Sequence, residues 1–309
     1  MADLALTPIL VTGAHRSGTT WVGKMLAADP LIAYISEPLN VLHRPGIFGA
    51  KVSHWYQYIC DENESEYLSA FEQLLDLDYH LWDEIRSIRS LKDFLRMGRD
   101  FRVFSNGLIH GQRLLIKDPF AVFSVPWFAK KLNCKVVITV RHPAAFANSL
   151  KRLNWPFDFN DLLDQSLLMR DYLEPYRDEM QSIKSDDIVG QAAHLWKVVY
   201  HSVHSTRALN PDFIVVRHRD LSRDPVNGYR ALYASLGLDY TARVEEIILN
   251  SSSPDNPVEL PRRKTHSVKL DSLASVDNWK NRLTADEIKR VREITDEVSH
   301  LYYSDSEWP

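Results

Sequence analysis

The sequence predicts an α/β protein, a P-loop-like three-layer sandwich whose central, mainly parallel sheet carries helices on both sides and helical insertions. Short apolar runs rich in β-branched residues recur along the chain, at Ile9–Thr12, Leu31–Ser36, Leu114–Ile116, Lys135–Val140 and Phe213–Val216. Helix-length segments separate them, as crossover connections between parallel strands require. The runs end in polar residues or Gly, and in an open parallel sheet the residues just past the strand C-termini line the ligand crevice.

With 309 residues and 45% hydrophobic content, the chain can bury a large core. One domain over 1–309 with a helical insertion at about 43–112 is the expected organisation. A net charge of −4 and a pI near 6.3 argue against a general nucleic-acid binder, so any anion site must be local. Cys60 and Cys134 are too few for a disulfide scaffold and read as free thiols in a reducing compartment. No signal-peptide pattern and no apolar run of about eighteen residues is present, so the expectation is a soluble, cytoplasmic protein without a transmembrane segment.

The first strand stops at Gly13, and a polar loop leads into a helix-like segment from Thr19 to Ala28. Gly13 and Gly18 permit backbone angles that let successive N–H groups converge on one anion beside the helix N-terminus. Their spacing is that of a nucleotide-binding loop, G-x-x-x-x-G, but Thr19 stands where an ATPase or kinase has Lys. The cation has moved into the loop as Arg16. A tight strand-to-helix turn without a ligand is the plainer alternative. The run Arg16-Ser17-Gly18-Thr19-Thr20-Trp21 resembles the 5′-phosphosulfate loop of sulfotransferases, which implies donor contacts from His15, Arg16, Ser17, Gly18, Thr19, Thr20 and Trp21.

Further along, Glu37 follows the second strand on the expected crevice rim, either for chemistry or as a solvated turn carboxylate. Leu68, Phe71, Leu74 and Leu75, then Trp82, Ile85 and Ile88, then Leu91, Phe94 and Leu95 recur at helical intervals. The aromatics Trp55, Tyr56, Tyr58, Tyr67, Tyr79 and Trp82 could floor an acceptor site, although such stripes usually form core. Lys117 ends the third strand, positioned to stabilise a transferring anion or to pair with Asp118 or another carboxylate. Arg141 ends Lys135–Val140, Pro143 opens the next helix, and Ser149 lies on it, so a forked cation and a hydroxyl can share one phosphate.

Sulfotransferases carry this Arg-x₇-Ser pattern for the donor's 3′-phosphate, and it is the second motif of the resemblance. Asn160–Met180 and Asp187–Ala208 read as long helices, the latter with Trp196, Val199, Tyr200 and Val203 inward. His194, His201 and His204 share that helix without the rest of a metal-ligand set. Arg217-His218-Arg219-Asp220-Leu221 resembles a sulfotransferase Arg-Tyr-Glu-Asp-Leu segment, with His218 and Arg219 as departures. Asp224-Pro225 opens a helix that Gly237 stops. Arg262-Arg263-Lys264 ahead of Trp279-Lys280 resembles the segment that folds over the donor's 3′-phosphate, which would add Arg263 and Lys264 to the donor contacts; a solvated basic run is the alternative. Thr284-Ala285-Asp286-Glu287 is a capping box for the final helix.

The family resembled is the PAPS-dependent sulfotransferases (PAPS is 3′-phosphoadenosine 5′-phosphosulfate), closer to bacterial and carbohydrate-type members than to the cytosolic aryl type. It implies sulfuryl transfer from PAPS to an acceptor hydroxyl, giving a sulfate ester and PAP, without a metal. Among glycan, lipid, polyketide and small-alcohol acceptors a saccharide hydroxyl is slightly favoured. Arg16 and Lys117 are expected to meet the developing charge, and Glu37 to act as base, with Asp118 and His15 as rivals. A P-loop kinase or NTPase and a non-catalytic nucleotide-binding module are the competing readings.

Overall fold

The computed structural model describes residues 7–259 and 268–309. Five strands form one parallel sheet: β1 (Ile9–Thr12), β2 (Ile32–Ser36), β3 (Arg113–Lys117), β4 (Lys135–Val140) and β5 (Ile214–Arg217), in the order β2-β3-β1-β4-β5. The wholly buried β1 is central, with Ile9 level with Leu115 of β3 on one side and with Lys135 of β4 on the other. Beyond these, β2 and β5 form the edges. From β1 the chain goes to edge strand β2, returns to β3 and then crosses to β4 and β5 on the other side, so the crevice for a ligand opens at the C-terminal end of β1.

Alternation along the strands divides the core. Leu10, Ile116 and Ile138 face one side, and Ile9, Val11 and Val137 face the other. The second side is covered by α1 (Thr19–Leu26) through Met25 and Leu26. Between β2 and β3 lie α2 (Leu68–Leu75), α3 (Leu81–Ser87) and α4 (Leu91–Ile109). After β3 come a 3₁₀ turn at Pro119–Ser124 and α5 (Val125–Lys131); after β4, α6 (Pro143–Leu153) begins on the expected proline.

The segment expected to be one long helix over Asn160–Met180 is instead broken into α7 (Asn160–Leu163), α8 (Ser166–Leu168), tighter turns and α9 (Arg177–Ser182). Pro175 lacks the N–H a continuous helix needs, and Gln165 spends its amide on the backbone of Tyr56, Tyr58 and Asp161. The long α10 (Ile188–Leu209) buries Trp196, Val199, Tyr200 and Val203 as its pattern predicts, packing on α6. Then follow α11 (His218–Arg223), α12 (Pro225–Leu236), stopped by Gly237 at φ 67°, α13 (Ala242–Ser252) and α14 (Ser272–Val276). The capping box is present at α15 (Ala285–Ser299).

Phe71 and Leu74 are core, as their spacing implies, but Trp82, Ile85, Leu91, Phe94 and Leu95 are exposed. Their periodicity is real; α4 seats Asp100, Phe104 and Gly107 against the body and turns the apolar stripe outward. Cys60 and Cys134 are free thiols. No helix among the described residues is long and apolar enough to cross a membrane.

Gly13 has φ 137°, and a Cβ there would lie 2.4 Å from the Thr139 carbonyl oxygen of β4. Gly13→Ala combines overpacking with a backbone angle that L side chains rarely adopt, and is expected to cost at least about 1–3 kcal/mol in urea denaturation. A change below about 0.5 kcal/mol, the scale of an ordinary surface substitution, would show that the loop does not depend on this contact.

Candidate active site

The loop after β1 is fastened from below. Ser17 N–H donates to the Ala14 carbonyl (3.0 Å), and the Ser17 hydroxyl bonds the Thr139 hydroxyl (2.6 Å). Tyr200 of α10 accepts from Ala14 N–H (3.3 Å) and donates to the Thr139 carbonyl (2.8 Å). Ser17 therefore anchors the loop to β4. Gly18 lies against His218, where a Cβ would come within 2.5 Å of the imidazole. The first turn of α1 then leaves its N–H groups without intrahelical partners.

Two cavities meet at this loop. One is lined by Gly18, Trp21, Arg141, Ser149 and His218, with Ser251 and Trp279 farther in. The other, about 500 Å³, is walled by Trp55, Tyr56, Phe120, Trp155 and Phe157, with Glu37, Asn40, Asp158 and Asp161 supplying polar groups. Arg16, Thr19 and Thr20 line both. Arg16 sits in the left-handed region at φ 66°, donates from Nε to the Ser149 hydroxyl (3.2 Å) and lies 5.8 Å from the Trp155 ring centre.

The first cavity is electropositive. Burial, then the Arg152 charge, lowers the Arg16 pKa to about 10; burial, then Arg16, lowers that of Arg141 to about 10. With the charges of Arg16 and Arg141 both disfavoured, the cleft gains from an anion, while Arg152 pairs with Glu259 (3.1 Å) on the same wall. Arg141 donates to the Arg16 carbonyl (3.0 Å), and its own carbonyl accepts from Trp196 (2.8 Å). The expected Arg141 and Ser149 thus share one cleft, with Ser149 held by Arg16. Trp21 lines it too, its indole N–H on Ser251 (3.1 Å). Arg263 and Lys264 lie outside the described residues.

His15 lines the aromatic cavity. Its N–H donates to the Tyr56 oxygen (3.1 Å), and that hydroxyl lies 2.6 Å from its Nδ1. With the Tyr56 proton given to Nδ1, the neutral ring carries its own proton on Nε2. Burial, then Arg16, holds its pKa at about 4.

Lys117 closes β3. Its buried ammonium is ion-paired with Glu37 and lines neither cavity, so the carboxylate-pairing alternative is the one observed, with Glu37 as partner. Glu37, at φ 58°, takes a second bond from Asn40 Nδ2 (2.8 Å), while its N–H donates to the Lys117 carbonyl (2.8 Å). This fixes a carboxylate on the cavity wall. Asp118 is buried, with Oδ2 on Leu39 N–H (2.6 Å) and Oδ1 on Phe120 N–H (2.9 Å), and burial raises its pKa to about 7. It is a fastening between two loops. Among the described residues no group of three or more His, Cys, Asp or Glu is placed to hold a metal ion.

Residues 8–242 match the model described as the sulfotransferase family. The chain belongs to this family. Similar solved structures include the sulfotransferase domain of the Synechococcus PCC 7002 olefin synthase, 17% identical over 98% of this chain and 98% of that one, with a TM-score of 0.48. Sulfotransferase STF9 from Mycobacterium avium is 16% identical over 96% and 77%, with a TM-score of 0.47. Mouse sulfotransferase SULT7A1, complexed with PAP, is 13% identical over 100% and 90%, with a TM-score of 0.47. No curated protein sequence matches the chain.

For this sulfotransferase, the sequence pattern missed Arg152, Asn148 and the Trp155–Asp161 wall, yet a signal was present for the first two. Ala145, Asn148, Ser149 and Arg152 share one α6 face, so helical spacing from Ser149 would have found its neighbours. His218, noted as a departure, fills the space beside Gly18.

Burial lowers the pKa of His15 to about 4 and those of His142 and His218 to about 3, so the unfolded chain binds these protons more readily. Stability should rise with pH between about 4 and 6.5, where Asp118, with its raised pKa, acts oppositely as a single group. Urea midpoints across that range should fall on acidification, and His218→Phe should flatten the slope; a midpoint independent of pH there would contradict the buried neutral imidazoles.

Proposed function

We propose that this sulfotransferase moves the sulfuryl group of PAPS onto a hydroxyl of an acceptor seated in the aromatic cavity. The observation that carries the reading is the wall of Arg16, Thr19 and Thr20 common to both cavities. An anion held by the loop on the cationic side presents its far end to the aromatic side, where Glu37 stands. Donor fit is supported by the α1 N-terminus that opens at Thr19 and by Arg16 and Arg141 lining the same cleft.

The acceptor oxygen attacks sulfur, the bond from sulfur to the bridging phosphate oxygen breaks, and the hydroxyl proton passes to Glu37. The leaving phosphate gains charge, which the α1 N-terminus and Arg16 are positioned to stabilise. Lys117 and Asn40 hold the Glu37 carboxylate in place. His15 is the weaker candidate base because Tyr56 occupies its Nδ1, and its Nε2–H suits it to hold the acceptor oxygen. Arg141 and Ser149, with Trp21 and His218 beside them, are assigned to the 3′-phosphoadenosine end. The aromatic walls suit a ring with an apolar face, a pyranose included, so saccharide hydroxyls remain the first acceptor class to test.

Single-turnover transfer at saturating PAPS tests the assignment. Glu37→Gln should slow transfer about 10²–10⁴-fold while PAP still binds. Arg141→Ala should cost about 1.5–3 kcal/mol of PAP affinity and leave AMP affinity little changed. Equal affinity of the unmutated protein for PAP and AMP would remove the 3′-phosphate role, and an unchanged rate in Glu37→Gln would remove Glu37 from the mechanism.

A further inference from the structure

Helices α3 and α4 carry an apolar face that the core leaves uncovered. On α4, Leu91, Phe94, Leu95, Phe101, Leu108 and Ile109 follow one another at helical spacing and are all exposed, Leu91 at 75% and Ile109 at 73%. Trp82 of α3 is 73% exposed. The opposite side of α4 is committed to the body: Asp100, Phe104 and Gly107 are buried there, and Gly107 sits so close to β2 that a Cβ would meet Ala33 at 3.1 Å. The outward stripe is therefore not a core face awaiting a small rotation.

The charges around it are sorted. Lys92, Arg96 and Arg99 are exposed along one flank, and exposed Arg102, seven residues from both Leu95 and Ile109, falls within the stripe itself. Asp93 pairs with Arg96 (3.6 Å) and buried Asp100 with Arg99 (2.7 Å), while Lys92 and Arg102 add two further positive charges, so α4 is net cationic in a chain of net charge −4. An apolar face of Leu, Phe and Trp beside a basic flank is the composition of a helix that lies in a bilayer interface. Such a surface exceeds the scattered exposed apolar residues ordinary for a soluble protein.

We propose that α3 and α4 dock this sulfotransferase onto an anionic lipid surface, with α4 lying in the headgroup plane. The apolar stripe enters the acyl boundary, and the Lys and Arg flank meets the lipid phosphates and carboxylates. The inference is independent of the proposed reaction, but the two are adjacent in the fold. Arg44 pairs with Glu84 of α3 and donates to the Asp93 carbonyl of α4 (3.0 Å), and it lies on the connection that begins at Glu37 and Asn40 of the acceptor cavity. A docked molecule thus holds its acceptor cavity close to the surface.

The test is co-sedimentation with vesicles of phosphatidylcholine alone and of phosphatidylcholine mixed with phosphatidylserine, at low and high salt. The protein should pellet with the serine-containing vesicles and be released by salt. Leu91→Glu with Leu95→Glu, and separately Lys92→Glu with Arg102→Glu, should each weaken binding by about tenfold or more while circular dichroism and thermal midpoint stay unchanged. Protein left in the supernatant with both vesicle types would overturn the proposal, as would either variant binding like the unmutated chain. A vesicle-indifferent dimer that the Leu91→Glu, Leu95→Glu variant splits would assign the face to a second copy instead.

Discussion

The close approach of Gly13 to the Thr139 carbonyl is the contact on which the site depends. It lets the loop lie flush on β4, where the Thr139 and Tyr200 hydroxyls tie down Ser17 and Ala14. A side chain at Gly13 would lift the loop and move Arg16, whose left-handed backbone costs about 1–3 kcal/mol and persists only because the loop is fixed on both sides. Arg16 then divides a cationic cleft from an aromatic cavity, and a transferable group can be held on one side and used on the other.

Charge sorting follows from the same geometry. Arg16, Arg141 and Arg152 gather on the cationic side, while Glu37 faces the aromatic side, paired with buried Lys117. Asp118, the next residue in sequence, has the opposite fate. Its oxygens are consumed by Leu39 and Phe120, and burial pushes it toward neutrality.

Much of this was legible in the chain. The strand, loop and helix around Gly13–Gly18 follow from glycine spacing and a β-branched run, and the Pro143 start and Thr284 capping box follow from local rules that tertiary contacts did not override. What pattern could not give was side-chain direction between distant segments. Lys117 and Glu37 meet across β3 and β2, Ser17 turns to Thr139, and His15 turns to Tyr56, each a choice made by packing and hydrogen bonding over long sequence separations. Periodicity found the stripe of α4 but not its sense, because Asp100, Phe104 and Gly107 are the residues seated inward.

The central claim is that the cationic cleft and the loop hold the donor so that its reacting end crosses into the aromatic cavity. A crystal structure with PAP bound tests it most directly. The account predicts the 5′-phosphate on the backbone N–H groups of Gly18 to Thr20 beside Arg16, the 3′-phosphate on Arg141 and Ser149, and the aromatic cavity left open for the acceptor. A nucleotide occupying the Trp55, Phe120 and Trp155 cavity, or a 3′-phosphate distant from Arg141, would contradict it.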